Sequence, residues 1–189
     1  MKKKIITELK KDVYKIENFF DFKTLHTIKS MLKQCRWKLR EHAGKNKNKV
    51  PVNKYNPNFS INLYYPENNL EFDLRGLIVN YLESSLDYKF ILLRLKINLS
   101  LPVDRSSEHD WHWDQGEHKD TDIHKKIISG VIYLNTNDGG TEFRDKELGI
   151  IKSNENTNIL FPSYLEHRGV NQTNTPTRYV INYNILPWK

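Results

Sequence analysis

Cysteine is almost absent from this sequence, because Cys35 is the only one in 189 residues. A single thiol cannot form a disulfide within the chain, so a scaffold held by internal disulfides is excluded. Cys35 also falls at an apolar position of a predicted helix, which favours a buried thiol over an exposed one. The cysteine content therefore fits a protein of the reducing cytoplasm.

Long hydrophobic runs are absent as well. The best apolar stretch, residues 90–101, is broken by Arg94 and Lys96 and cannot span a bilayer. The basic start, residues 1–4, resembles that of a signal peptide, but Thr7, Glu8, Lys10 and Lys11 interrupt the apolar core that would have to follow. We expect a soluble, unexported protein with no membrane partner.

The sequence has no internal repeat and no break in composition. Its 189 residues, 38% of them hydrophobic, suit one domain with a real core. The net charge of +7 is uneven, with 16 basic and 5 acidic residues in 1–54 against 14 and 18 in 55–189. We interpret the basic flank as a solvated surface, so a nucleic-acid partner is unlikely on charge alone.

The first half of the chain predicts two helices among a few strands. Asp21 is placed to cap a helix whose apolar residues recur at helical spacing: Phe22, Leu25, Ile28, Met31, Leu32 and Cys35. A second amphipathic helix is predicted at about 68–86, and strands at 13–19, 37–40, 60–65 and 90–100. Residues 41–59 have no periodicity and are interpreted as a loop that forms a lid or binding element.

The second half is almost entirely β by pattern. Alternating segments predict strands at 110–114, 127–135, 141–144, 147–152, 157–161, 166–170 and 177–186, with a tight turn at 137–140. Helices followed by a run of antiparallel strands predict a mainly β fold, a jelly roll with flanking helices. We expect one domain over 1–189, with helical support in about 1–100 and the β core in about 90–189.

The segment Trp111-His112-Trp113-Asp114 is the centre of the functional prediction. In a strand, His112 and Asp114 project to one face, while Trp111 and Trp113 pack on the other. With His167 from a distant strand they would form a facial triad of two histidines and one carboxylate, which suits Fe(II). Alone, this pattern is weak in a chain with seven histidines.

Five short segments that follow one another along the chain are much more specific than the triad alone. The segments are His112-Trp113-Asp114, Ile132-Tyr133-Leu134-Asn135, Gly139-Gly140-Thr141-Glu142-Phe143, Asn158-Ile159-Leu160-Phe161-Pro162 leading to His167, and Arg178-Tyr179-Val180-Ile181-Asn182-Tyr183. Together they resemble the Fe(II)/2-oxoglutarate-dependent dioxygenases, within them the prolyl-4-hydroxylase-like branch. The resemblance implies a double-stranded β-helix, a cupin-like jelly roll.

The resemblance also implies a ligand set and a reaction. His112, Asp114 and His167 would be the catalytic iron ligands, 2-oxoglutarate and dioxygen would take the remaining positions, and ascorbate is a possible further cofactor. Arg178 would bind the far carboxylate of 2-oxoglutarate, with Tyr133 as a second donor. The implied reaction converts 2-oxoglutarate to succinate and carbon dioxide and hydroxylates an unactivated C–H bond.

The residues themselves leave alternatives at these positions. An arginine that points into a barrel needs an anion, which is either a ligand or a structural Asp or Glu. Tyr133 suits core packing as well as it suits co-substrate binding. Asn182 and Asn184 share the face of Arg178 and are predicted to bind water or substrate, or to support the metal ligands.

The other histidines are assigned to less specific places. His118 and His124 flank a polar loop, residues 116–126, which we expect over the entrance of the site. His26, His42 and His109 are expected at the surface or in incidental positions.

Two features of the sequence limit the reactions that the family resemblance allows. Asp114 is present, whereas halogenating relatives lose this carboxylate. No second arginine follows Arg178, which argues against demethylation of alkylated bases. We expect hydroxylation, with a prolyl residue in a peptide or protein as the leading substrate, by family analogy. The alternatives are a hydroxylase of a small molecule or free amino acid, and a cupin-like binding module without turnover.

Overall fold

The computed structural model describes residues 3–40, 58–86, 88–102, 109–114 and 122–188. The helices are α1 (Phe22–Leu32) and α2 (Asn69–Ser85), and His124–Lys126 forms a short 3₁₀ helix. The strands are β1 (Ile5–Lys10), β2 (Val13–Glu17), β3 (Lys38–Arg40), β4 (Asn58–Asn62), β5 (Lys89–Ser100), β6 (Ile128–Tyr133), β7 (Gly140–Phe143), β8 (Ile150–Lys152), β9 (Thr157–Pro162), β10 (His167–Val170) and β11 (Arg178–Trp188).

The strands form two antiparallel sheets, which we call the large and the small sheet. The large sheet has the order β1-β2-β9-β6-β11-β5-β4-β3, and the small sheet has the order β10-β7-β8. Neighbours within the large sheet come from distant parts of the sequence, as expected for a jelly roll. The predicted mainly β fold with flanking helices is confirmed.

The strands of the large sheet alternate between two apolar layers. One layer packs against the helices and includes Ile61, Leu95, Ile97, Ile132, Ile181 and Tyr183, together with Ile28, Leu74 and Ile78 of α1 and α2. The other layer lies between the sheets and includes Val131, Tyr133, Phe161, Val180, Phe143 and Ile151. Because strand side chains alternate with period two, β11 presents Val180 to the small sheet and Ile181 to the helices.

Each helix is preceded by a capping side chain, and the cap predicted at Asp21 is present. The Asp21 side chain accepts a hydrogen bond from the backbone N–H of Thr24, and Asn68 caps α2 through the N–H of Glu71. Phe22, one of the apolar residues at helical spacing, is nevertheless 82% exposed. Phe22 is the first residue of α1 and stacks on His26 at the surface, where the helix has not yet reached the sheet.

The N-terminal region contributes more to the β structure than predicted. β1 was not predicted, and β1 to β5 make up five of the eight strands of the large sheet, so residues 1–100 are not simply helical support. The predicted strand 110–114 is reduced to an isolated bridge at His112. The predicted loop 41–59 lies outside the described residues up to residue 57, and β4 begins at Asn58.

In the described part of the chain, neither helix is both long and apolar enough to cross a membrane.

Candidate metal centre

His112, Asp114 and His167 meet on the inner side of the small sheet. The backbone N–H of His112 donates to the carbonyl oxygen of His167 at 3.0 Å, and the N–H of His167 donates back at 3.1 Å. This antiparallel bridge sets the two imidazoles side by side, with ring centroids 4.6 Å apart. One possible ligand atom from each of the three residues lies within 4.8 Å of the others, so the group has the spacing to hold a metal ion.

Both imidazoles are held so that Nε2 is the atom left for a metal. Nδ1 of His112 lies 3.0 Å from the carbonyl oxygen of Asp110, and Nδ1 of His167 lies 2.9 Å from that of Leu165. A carbonyl oxygen can only accept, so each Nδ1 carries the proton and each Nε2 keeps its lone pair. Such a hydrogen bond fixes the tautomer and the ring orientation of a histidine ligand.

The Asp114 carboxylate is oriented by three side chains. Ser129 Oγ donates to Oδ2 at 2.6 Å, Asn184 Nδ2 donates to the same oxygen at 3.1 Å, and Arg94 Nη1 donates to Oδ1 at 3.1 Å. Ser129 is itself 2.8 Å from the hydroxyl of Ser163. The carboxylate is therefore fixed by contacts from β5, β6 and β11, while its own segment lies beside the small sheet.

The charge states of the group suit a divalent cation. Burial acts to raise the pKa of Asp114, but His167, Arg94 and the hydrogen bond from Ser129 outweigh it and hold that pKa well below its usual range. Burial lowers the pKa of His167 in spite of the nearby Asp114. An ionised carboxylate and neutral imidazole nitrogens are the donor set that suits Fe(II).

The triad is enclosed on one side and open on the other. His167 is only 5% exposed, and its ring lies edge-to-face with Phe161, with centroids 4.8 Å apart. Phe143 packs on Phe161 and lies 6.0 Å from His167. His112 is exposed. A ligand of the metal would therefore meet an apolar wall at His167 and reach solvent beside His112.

Arg178 occupies a buried position between the two sheets. It is 6% exposed, and its Nη2 donates to the carbonyl oxygen of Gly140 on the small sheet at 3.0 Å. Its guanidinium carbon lies 5.7 Å from the centre of the Tyr133 ring. Nε is buried and has no hydrogen-bond partner, and no carboxylate of the described segments pairs with this side chain. Burial lowers the pKa of Arg178.

Arg178 is a buried cation that has no carboxylate partner among the described residues. A buried charge is costly unless it is paired and hydrogen-bonded, so the guanidinium is suited to receive a carboxylate. Of the two alternatives left open by the sequence, the structural Asp or Glu partner finds no support in the described part of the protein.

Tyr133 is fully buried next to Arg178 and belongs to the apolar layer between the sheets. Its hydroxyl lies 2.9 Å from Thr141 Oγ1 and donates to the carbonyl oxygen of Ile151 at 3.1 Å. The packing role is thus evident, and binding of a co-substrate by Tyr133 stays a prediction.

The two asparagines differ in position. Asn184 is buried and contacts Asp114, Ser129 and Arg94, so it supports the carboxylate. Asn182 is half-buried and lies between Lys96 and Val131 in the strand register. The predicted common face of Arg178, Asn182 and Asn184 agrees with the strand pairing.

Trp111 contacts Arg168, the neighbour of His167 in β10, and so lies on the opposite side of its segment from His112. Two guanidinium groups lie over its ring, with Arg144 at 4.9 Å and Arg168 at 4.3 Å from the centroid. Arg144 pairs with Glu166 and Arg168 pairs with Glu142. The partly exposed indole is therefore clamped by charges and is not a core residue.

One assignment of a histidine is wrong. His109 is not incidental, because its ring bonds Asn171 and its backbone N–H donates to the carbonyl oxygen of Gly169. His26 is exposed, as expected, and His124 begins the short 3₁₀ helix. His42 and His118 lie outside the described residues.

Arg94, Ser129 and His109 were not predicted from the sequence as residues of the site. Alternation in β5 does place Arg94 opposite the helix-facing Leu95, and this signal was available. The contact of Arg94 and Ser129 with Asp114 depends on the register of β5, β11 and β6, which no local pattern specifies.

Comparison with known proteins agrees with these features. Residues 99–186 match the family model of the 2OG-Fe(II) oxygenase superfamily. A comparison with curated protein sequences found no match.

Similar solved structures include three oxygenases. An oxidoreductase of the 2OG-Fe(II) oxygenase family from Burkholderia pseudomallei has a TM-score of 0.65 at 11% identity, over 94% of this chain and 86% of that one. The viral collagen prolyl hydroxylase of Paramecium bursaria Chlorella virus 1, in complex with 2-oxoglutarate, has a TM-score of 0.56 at 17% identity, over 94% and 97%. A Trichoplax adhaerens prolyl hydroxylase with a hypoxia-inducible-factor peptide has a TM-score of 0.62 at 13% identity, over 93% and 83%.

At these identities the likeness concerns the fold, and it confirms the predicted double-stranded β-helix. Fe(II) and 2-oxoglutarate, the cofactors predicted from the sequence, are those of the matched superfamily. The segment that matches the 2OG-Fe(II) oxygenase superfamily contains His112, Asp114, His167 and Arg178, all four side chains of the candidate site.

Proposed function

We propose that this protein is an Fe(II)- and 2-oxoglutarate-dependent dioxygenase that hydroxylates an unactivated C–H bond. One observation carries the proposal: three ligand atoms lie within 4.8 Å of one another beside the small sheet, and a buried arginine that bonds the same sheet at Gly140 has no partner for its Nε among the described residues. A metal site and a carboxylate site so arranged suit a ligand that chelates at one end and is anionic at the other.

His112, Asp114 and His167 would hold the iron. Both histidines offer Nε2, and Asp114 offers a carboxylate oriented by Ser129 and Asn184. Three protein ligands leave positions for a chelating co-substrate and dioxygen, and the bound metal supplies the oxygen chemistry.

Arg178 would bind the far carboxylate of 2-oxoglutarate. The guanidinium already donates from Nη2 to Gly140, which fixes its plane and leaves Nε for an anion. A planar guanidinium can donate two hydrogen bonds to one carboxylate, which favours an elongated dianion over water. The Phe161 and Phe143 wall beside His167 excludes water from the reacting region.

The substrate that we propose is a prolyl residue in a peptide. The sequence resembles the prolyl-4-hydroxylase-like branch, and two of the similar structures are described as prolyl hydroxylases, one of them bound to a peptide. The exposed side of the triad, at His112, would admit an extended chain. A free amino acid or another small molecule is the competing substrate class.

Consumption of 2-oxoglutarate tests the oxygenase. The purified protein with Fe(II) and 2-oxoglutarate should release succinate slowly without any other substrate, and His112→Ala should abolish the release. A cupin-like module without turnover would bind the metal and release no succinate. Succinate release by the His112→Ala protein at the wild-type rate would refute the ligand assignment.

Stimulation of that release identifies the substrate class. A panel of proline-containing peptides and a panel of free amino acids are added separately, and the product is examined by mass spectrometry. A gain of one oxygen atom on a peptide proline supports the proposal, and a gain only on a free amino acid replaces it.

A further inference from the structure

His109 lies on the same face as the candidate metal ligands because of a bulge in the segment that pairs with β10. In a regular antiparallel ladder, the bridge between His112 and His167 would be followed by a bond between residues 110 and 169. Instead the N–H of His109 donates to the carbonyl oxygen of Gly169 at 2.8 Å. Residues 110 and 111 therefore oppose residue 168 alone, and the extra residue turns His109 to the side of His112.

Gly169 confirms the side on which the His109 ring lies. Residue 169 is two positions from His167, so its side chain would project to the inner face. A Cβ at Gly169 would meet three atoms of the His109 ring, Cδ2 at 3.3 Å, Cγ at 3.6 Å and Nε2 at 3.7 Å. The imidazole thus lies over Gly169 on the inner face, with the Nδ1–Cε1 edge directed away from the strand.

A hydrogen bond to Asn171 sets the tautomer of His109. Nε2 lies 2.9 Å from Oδ1 of the buried Asn171. An amide oxygen only accepts, so Nε2 carries the proton and Nδ1 of the neutral ring is an acceptor. Within the described residues, Nδ1 has no hydrogen-bond partner.

The surroundings keep this imidazole neutral. Burial lowers the pKa of His109, Asn171 opposes this effect, and the charges of Arg178, His112 and Lys96 lower it further. Arg178 belongs to the proposed co-substrate site and His112 to the candidate metal site, and the ring of His109 lies over Gly169, two residues from His167.

A hydrogen-bond acceptor such as Nδ1 of His109 is not suited to bind 2-oxoglutarate, the proposed co-substrate. Both ends of 2-oxoglutarate are carboxylates that only accept hydrogen bonds, and its keto oxygen also only accepts. The matching group for Nδ1 is an N–H or O–H donor, which a peptide backbone carries at every residue except proline.

We propose that His109 is a substrate-binding residue whose Nδ1 accepts a hydrogen bond from a backbone N–H of the peptide, next to the prolyl residue that is hydroxylated. This inference rests on the proposed function and specifies how the peptide is recognised. Asn171 acts through His109 as a positioning residue, because it fixes which nitrogen is the acceptor.

Peptides with and without the donor test the proposal. The probes are a short peptide of alternating proline and alanine, and the same peptide with every alanine nitrogen methylated. Binding is measured by calorimetry on the protein loaded with Mn(II) and N-oxalylglycine. We expect the wild type to bind the methylated peptide about 5- to 10-fold more weakly, the effect of one hydrogen bond.

Substitutions at residue 109 separate recognition from packing. His109→Phe keeps a flat ring and should bind both peptides with the same reduced affinity. His109→Gln supplies a carbonyl acceptor and should restore part of the preference. His26→Gln, on the exposed surface of α1, is the control and should bind as the wild type does.

A spectroscopic measurement makes the test independent of any variant that fails to fold. In the wild type, the Nδ1 nitrogen resonance of His109 should shift when the N–H peptide binds and stay in place with the methylated peptide. A structural histidine would give the same resonance with both peptides.

Several outcomes overturn the proposal. These are equal binding of both peptides by the wild type, no binding of either peptide, and a His109→Phe protein that keeps the preference. A greater loss of N-oxalylglycine affinity than of peptide affinity would assign His109 to the co-substrate instead. Succinate release by the wild type does not depend on these results, so the oxygenase and the role of His109 can fail separately.

Discussion

The hydroxyl of Ser129 lies 2.6 Å from Oδ2 of Asp114 and links a strand of the large sheet to the proposed metal centre. Removal of this hydroxyl leaves one oxygen of the carboxylate with fewer donors and frees its rotation. We expect Ser129→Ala to weaken Fe(II) or Mn(II) affinity about 10- to 100-fold, the range for a group that orients a metal ligand.

Titration with Mn(II) measures this effect. Ser84→Ala, on the exposed side of α2, removes a hydroxyl that bonds only the local Tyr81 carbonyl oxygen and should leave metal affinity unchanged. Equal affinity of the Ser129 and Ser84 variants would show that Asp114 is held adequately without Ser129.

Arg178 should set the affinity for 2-oxoglutarate. Arg178→Gln removes the buried cation, and loss of charge-assisted hydrogen bonds worth about 1.5–3 kcal/mol should raise the KM for 2-oxoglutarate roughly 10- to 100-fold. Metal affinity should change little, because no metal ligand contacts this side chain in the described structure. Arg36→Gln, an exposed arginine, is the control. A normal KM in the Arg178 variant would place the co-substrate elsewhere.

The clamp on Trp111 should stabilise the segment that contains His112. Trp111→Leu removes contacts with Arg144 and Arg168, and two exposed cation–π contacts contribute about 1–2 kcal/mol together. Denaturant unfolding should show this loss, and metal affinity should fall with it. Trp188→Leu, the control, changes an indole that is 62% exposed and should leave the free energy of unfolding almost unchanged. An equal loss in the free energy of unfolding for Trp111→Leu and Trp188→Leu would show that the contacts of Trp111 with Arg144 and Arg168 do not stabilise the protein.

Two glycines should respond to alanine in opposite directions. A Cβ at Gly130 would lie 2.0 Å from the Tyr183 ring, which is fully buried and hydrogen-bonded to Asn158 and so cannot move freely. Gly130→Ala should therefore lower the free energy of unfolding by about 1–3 kcal/mol. Nothing lies within 4 Å of a Cβ at Gly76 in α2, so Gly76→Ala should raise it by about 0.5–1 kcal/mol.

The thiol of Cys35 should make stability depend on alkaline pH. Burial, with help from the charge of Glu71, raises the pKa of Cys35 from 9.0 to about 11. The unfolded thiol therefore loses its proton first, and the stability that the buried thiol contributes is present below pH 9 and lost as pH rises toward 11. Between these limits the wild type should lose on the order of 2 kcal/mol more than Cys35→Ala.

Denaturant unfolding at pH 9 and pH 11 measures how much the free energy of unfolding falls in the wild type and in Cys35→Ala. If the free energy of unfolding falls equally in the wild type and in Cys35→Ala, folding does not raise the pKa of Cys35. At neutral pH the folded wild type should also resist alkylation by iodoacetamide, since the thiol and not the thiolate is present.

Local patterns in the sequence were enough for much of the fold. Asp21 and Asn68 cap their helices through side-chain chemistry that acts over three residues. The alternation from Arg178 to Asn184 follows from the geometry of a strand, whatever packs against it. Periodicity alone does not show that Phe22, at the start of α1, is exposed.

The sequence by itself determined the candidate donor set, since the residue types and order of His112, Asp114, His167 and Arg178 carry the family resemblance. Only the tertiary structure decided which side chains support them. Ser129 and Arg94 reach Asp114 through strand register, and His109 turns inward through a bulge. Register and bulges depend on pairing between distant segments, and a shift of one residue reverses the face of every side chain. For that reason no local pattern could predict these contacts.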